Sequence, residues 1–78
     1  MIANEQLLRL KGQPVRLAFK DGVVIRGRLI TVDPERFTEQ VVFEVQAIED
    51  EARGARPELR PGGVYASDTD EIATAEAL

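Results

Sequence analysis

The run Ser67-Asp68-Thr69-Asp70-Glu71 holds the side chains best suited to acid–base or metal chemistry. Ser67 is the only serine, and the chain has no histidine to activate it and no cysteine to replace it as nucleophile. The carboxylate pairs Asp68/Asp70 and Asp70/Glu71 need a cleft to act as acid and base, which a small β domain rarely provides. Asp68-Thr69-Asp70 offers oxygen ligands to Mg²⁺ or Ca²⁺, but the glycine and distant glutamate of a calcium loop are absent. The close spacing suits turn chemistry, in which an Asp carboxylate accepts backbone N–H bonds. These residues predict neither an enzyme nor a bound metal or other cofactor.

The other chemically loaded set is basic. Arg16, Lys20, Arg26 and Arg28 fall on one parity of two adjacent apolar-alternating runs, so they share one face of a β-sheet. Two readings of that face stand side by side. One is a phosphate-contacting patch. The other is a solvated outer face whose arginines meet carboxylates from Glu39 or Glu44. Arg53, Arg56 and Arg60 recur at the spacing of one face of a helical turn, a basic finger if the segment is ordered. The charge balance limits how far either patch can act. Residues 1–39 hold seven basic and five acidic side chains, whereas residues 40–78 hold three and nine, for a net charge of −4. The whole molecule repels a nucleic acid at long range, so binding would have to use a local basic patch.

The elements that position these residues are mostly strands. Val15, Leu17 and Phe19 alternate with Arg16, Ala18 and Lys20, after a proline at the strand start where it costs no ladder bond. A second run, Val23 to Val32, follows Asp21-Gly22. A two-residue loop there would set Leu17 opposite Arg26 and put charge on the apolar face. A three-residue loop, Lys20-Asp21-Gly22 with Gly22 left-handed, sets Phe19 opposite Val23 and Leu17 opposite Ile25. Gly27 interrupts the apolar pattern of the second strand. An interior glycine weakens a strand unless the strand must bend or another backbone passes close by. A third strand is expected from about Gln40 to Ile48, with Val41, Phe43 and Val45 on one face. Residues 49–63, rich in Ala, Arg, Pro and Gly, read as a long exposed connector. A fourth strand is expected to start at 63–66, and a short fifth strand is expected at 71–74. Asn4 is placed to cap a short helix reaching Leu10 or Lys11, stopped by Gly12. That helix would lie over one end of the core within a helical lead-in of residues 1–12.

Seventy-eight residues make one domain, 1–78, with a small core. Without cysteine or histidine, the stabilisers usual in small domains are missing, and association with identical chains is the one left. No stretch is long and apolar enough to cross a membrane as a helix. Residues 1–10 carry Glu5 and no long apolar core, so they do not read as a secretory signal. A cytoplasmic location with no membrane partner is the expectation, and the absence of cysteine fits a reducing compartment.

This order of helix and strands resembles the Sm-like family, the Sm, LSm and Hfq-type proteins. The likeness runs through Gly12-Gln-Pro-Val-Arg-Leu17, the turn Lys20-Asp21-Gly22, and Gly27-Arg-Leu-Ile-Thr-Val-Asp33. In the family's first motif a bend glycine is followed by a leucine two residues on and an aspartate six residues on, as Gly27, Leu29 and Asp33 are here. The resemblance implies a five-stranded, strongly bent antiparallel SH3-like barrel behind an N-terminal helix. It also implies a homo-oligomeric ring closed by pairing strand four of one subunit with strand five of the next. Val64, Tyr65, Ile72 and Ala73 would form that interface, and single-stranded RNA would be the ligand. Family members that bind uridine-rich RNA carry an asparagine four residues after the motif aspartate. That position is Phe37 here, beside Arg36, and either could stack on a base. The family's Arg-Gly between strands four and five falls on Asp68-Thr69 in one register and Ala66-Ser67 in another. The implied RNA site is therefore an atypical one, built from Asp33, Arg36, Phe37, Ser67 and Asp68. Copies of Asp68 and Asp70 around one ring would oppose a phosphate chain by about 1 kcal/mol per close pair in water. A ring or barrel serving as a protein-interaction scaffold without RNA is the alternative, and a monomeric SH3-like adaptor lies outside the family.

Overall fold

The computed structural model describes residues 4–33 and 40–78. Helix α1 (Asn4–Arg9) leads into strands β1 (Pro14–Phe19), β2 (Val24–Asp33), β3 (Gln40–Asp50), β4 (Val64–Asp68) and β5 (Ile72–Ala77). Single 3-10 turns lie at Ala52–Gly54 and Thr69–Glu71.

The turn at Asp21-Gly22 sets the register of β1 against β2. Asp21 Oδ1 accepts the Val23 N–H at 3.1 Å, the Gly22 N–H donates to Phe19 O, and Gly22 takes a φ of +98°. The Phe19 N–H then donates to Val23 O at 2.8 Å, and Leu17 lies opposite Ile25. This is the three-residue loop that keeps Val15, Leu17 and Phe19 on the same face as Val23, Ile25 and Leu29. All six are buried.

The five strands form one antiparallel sheet in the order β4-β3-β2-β1-β5. The sheet is unclosed: β4 and β5 lie at its two margins. Its long members are β2 and β3, and their pairing shifts register at Val24/Ile25, Arg26/Gly27 and Leu29/Thr31. Each shift adds local twist to the pair. Gly27 explains itself here, because a Cβ at this position would fall on the Glu44 carbonyl oxygen and lie 3.3 Å from Val45 Cα. The backbone of β3 occupies the space a side chain would need.

The core gathers Val41, Phe43 and Val45 from β3, Ile72 and Ala75 from β5, and Leu7 from α1 around the apolar face of β1 and β2. Phe43 sits between Phe19 and Tyr65, with ring centroids at 5.7 and 6.2 Å. Helix α1 ends earlier than expected, at Arg9, and tightens through i→i−3 bonds from the Leu10 and Lys11 N–H groups. Gln13 Nε2 caps Arg9 O, and Gly12 turns the chain with a φ of +78°.

The largest departure from the sequence reading is the connector after β3. The third strand runs on to Asp50, so the connector is shorter than 49–63, and it is folded onto the sheet. Leu59 is buried in the core and Ala52 packs against it. Tyr65 Oη donates to Glu58 O and accepts the Arg60 N–H, which pins the second half of the segment. Leu59 and Tyr65 thus tie down part of a stretch whose composition reads as solvent-exposed. Strand β4 starts where expected and runs to Asp68, and β5 runs past its expected end, to Ala77. For β5 the reason is non-local: β1 holds it from Phe19↔Ile72 to Val15↔Ala77 despite its weak strand propensity.

Candidate functional site

Three strand ends meet where β2 finishes and β3 begins. Asp33 pairs with Gln40 and Gln40 pairs with Asp68, so Asp33 and Asp68 stand two strands apart at one end of the sheet. The neighbouring rank is Val32, Val41 and Ser67. Arg36 and Phe37, the stacking candidates, lie outside the described residues, between the ends of β2 and β3. Asp68 is exposed. Ser67 is buried and donates its hydroxyl to Glu71 Oε2 at 2.8 Å. Asp33, Ser67 and Asp68 thus belong to this end of the sheet, and Ser67 has its hydroxyl turned to a carboxylate within the chain.

Glu71 is the electrostatic centre of this corner. The Ser67 hydrogen bond holds its carboxyl below the ordinary value of 4.5, and the Arg56 guanidinium adds to the effect. Partial burial and the Asp21 charge work the other way. Arg56 was not singled out by the sequence as a structural residue, yet it joins three elements. Its Nε donates to Asp21 Oδ2 at 2.7 Å, its Nη2 lies 3.5 Å from Glu71 Oε2, and its Cζ sits 4.2 Å from the Phe19 ring centroid. Arg53, Arg56 and Arg60 consequently share no face. Arg53 is exposed in the 3-10 turn, Arg56 is folded inward, and Arg60 Nη1 donates to Pro57 O and Leu59 O. Instead of the basic finger that an ordered segment would make, the three arginines have separate roles. Only the opposite charges of Asp21 and Arg56 hinted at their pairing, and they lie 35 residues apart.

The basic face of β1 and β2 is present but largely neutralised from within. Arg16 and Arg26 are direct cross-strand partners, an arrangement that is unfavourable for like charges. Glu49 resolves it: Oε1 accepts from Arg16 Nε at 2.8 Å and Oε2 lies 3.0 Å from Arg26 Nε. The Glu49 hydrogen bond is the main reason the Arg16 guanidinium is held still more firmly protonated, with Glu76 contributing. The sequence reading named Glu39 or Glu44 as the partner. The longer β3 and its register shifts bring Glu49 instead, while Glu44 sits opposite Arg28 and Glu39 lies outside the described residues. Lys20 and Arg28 are exposed at opposite ends of this face.

The four interface candidates divide in two. Val64 and Ala73 are exposed on the marginal strands. Ile72 is fully buried in the subunit's own core and Tyr65 is half-buried beneath the connector. What the margins do offer is backbone. In β4 the bonds Val45 N–H to Gly63 O and Gly62 N–H to Val45 O fix the alternation, so Tyr65 and Ser67 bond β3 while Val64, Ala66 and Asp68 turn their N–H and C=O outward. In β5 the bond from Leu78 N–H to Pro14 O places Thr74 and Glu76 against β1 and turns Ala75 and Ala77 outward.

Among the described residues no three Asp or Glu side chains converge closely enough to hold a metal ion, and no helix is long and apolar enough to cross a membrane. Comparison with protein-family models, with curated proteins and with solved structures finds no match.

Proposed function

We propose that this chain is a subunit of an Sm-like homo-oligomeric ring, a bent SH3-like barrel acting in the cytoplasm, that binds single-stranded RNA through an atypical pocket. The observation that carries the ring is the placement of β4 and β5. They follow one another in sequence, separated by one 3-10 turn, yet stand at opposite margins of the sheet with outward-facing backbone groups. Open strand edges of this kind are templates for pairing. Two different edges on one subunit make a head-to-tail contact, which closes into a ring when the rotation per subunit permits. The resemblance through Gly27, Leu29 and Asp33 supports the same assembly. For RNA, the support is the register that sets Asp33 and Asp68 two strands apart at the end of the sheet from which the chain runs on to Arg36 and Phe37.

A second reading keeps the ring and replaces RNA with a protein partner. Two observations favour it: Glu49 occupies Arg16 and Arg26, and the β4–β5 corner carries Asp68, Asp70 and Glu71. Light scattering on the intact chain tests the ring, which a monomer at tens of micromolar would rule out. Fluorescence titration with oligo-U and oligo-A at two salt concentrations separates the two ligands. The RNA reading expects binding at low salt that weakens as salt rises. A ring that binds neither oligonucleotide at low salt makes the scaffold the correct reading.

A further inference from the structure

The connector between β3 and β4 forms a cleft of about 230 Å³ that neither assembly nor RNA binding uses. Its apolar wall is Val23, Ile48, Pro57 and Leu59, of which Val23 and Leu59 are almost fully buried. Arg60 also lines it. The two bonds from Arg60 Nη1 to Pro57 O at 2.6 Å and Leu59 O at 2.8 Å hold the guanidinium in place and leave Nε and Nη2 outside them. Arg56, the other arginine of the lining, is already committed to Asp21 and Glu71. Among the described residues, Arg60 has no carboxylate within ion-pair distance.

A guanidinium pre-oriented beside a hydrocarbon wall matches a carboxylate on a short aliphatic body, since the ordering needed to bind is already made. Glu51 lines the same cleft and opposes any anion there, so one carboxylate on Arg60 is tolerated better than two. The volume lies below that of sites for drug-sized ligands. The cleft also borders strained backbone: Ala52 and Arg53 both lie in the left-handed region, at φ +48° and +57°, beside Gly54 at +79°. Consecutive non-glycine residues persist there only when their surroundings enforce it, and such strain gathers at ligand clamps.

We propose that this cleft binds a small aliphatic monocarboxylate, with Arg60 holding the carboxylate and Val23, Ile48 and Leu59 enclosing the hydrocarbon. The site stands independently of the ring and of RNA. An amide NMR titration of the intact chain with isovalerate tests it. Saturable shifts are expected at Val23, Gly54 and Leu59, with a Kd on the order of 1 mM. Isovaleramide, which keeps the shape and loses the charge, should bind at least about tenfold more weakly, as should acetate, which keeps the charge and loses the body. Arg60→Gln retains the backbone N–H that meets Tyr65 and should weaken isovalerate by about tenfold or more, whereas Arg53→Gln, outside the lining, should leave it unchanged. Absence of saturable shifts, equal binding of isovaleramide, or an unaffected Arg60→Gln would overturn the proposal. If Arg60→Gln does not fold, the comparison of isovalerate with isovaleramide on the unaltered chain decides the matter.

Discussion

Gly27 does at one position what no other residue type can do there. It lies opposite Val15 on one side and Val45 on the other, and the Glu44 carbonyl fills its missing side chain. Gly27→Ala therefore forces backbone, not a flexible side chain, to move. A loss of about 3 kcal/mol or more in urea unfolding is expected, or failure to fold; a loss under about 1 kcal/mol would show that β3 gives way. This residue was legible in the sequence because it broke an apolar alternation. Glu71 was not legible in the same way, since its environment comes from Ser67, Arg56 and Asp21 together. Its folded carboxyl titrates below 4.5, so the native state favours the ionised form. The stability it contributes is present above the ordinary value and is lost as pH falls through the folded one. Glu71→Gln should accordingly lower stability at neutral pH, and the gap to the wild type should shrink in acid. Equal acid limbs for the two proteins would contradict this assignment. Half the side chain is exposed, so solvent screening keeps the effect small.

At the scale of elements, local signals and long-range contacts part company. The β1–β2 turn, its register and the buried parities of β1, β2 and β3 were readable because period-two patterning and a left-handed glycine act within a few residues. The connector was not readable, because what orders it is distant: Arg56 reaches Asp21, Glu71 and the face of Phe19. Glu49 was missed for the same reason, as its place depends on where the β2–β3 pairing slips. If Arg56 is the clasp of this segment, Arg56→Ala should cost about 1–2 kcal/mol, summed over a cation–π contact and a partly buried ion pair. The amides of residues 51–62 should then exchange faster with solvent while those of β2 keep their protection. Uniform acceleration across the sheet would mean that Arg56 supports the whole fold instead of one connector.

For the whole molecule, the radius of gyration of 11.2 Å is close to the roughly 11.5 Å expected of a compact chain this long. Leu7, Leu59 and Ile72 complete a core without help from a neighbour. The proposed self-association thus works on strand margins and not on a half-finished interior. Ala66→Pro addresses this directly, since the Ala66 N–H turns away from β3 and a marginal strand tolerates proline there. The variant should fold with near-normal stability and sediment as a smaller species than the parent. A parent and variant of equal mass would exclude β4 from any contact between subunits.

The pairing of Val15 with Ala77 also bears on how the chain is made. Strand β1 is translated before its second partner, which follows more than fifty residues later in the chain. At roughly 5–20 residues per second, one flank of β1 waits on the order of several seconds for β5. During that interval Arg16 and Lys20 are the charges that discourage a nascent neighbour from taking the vacant place.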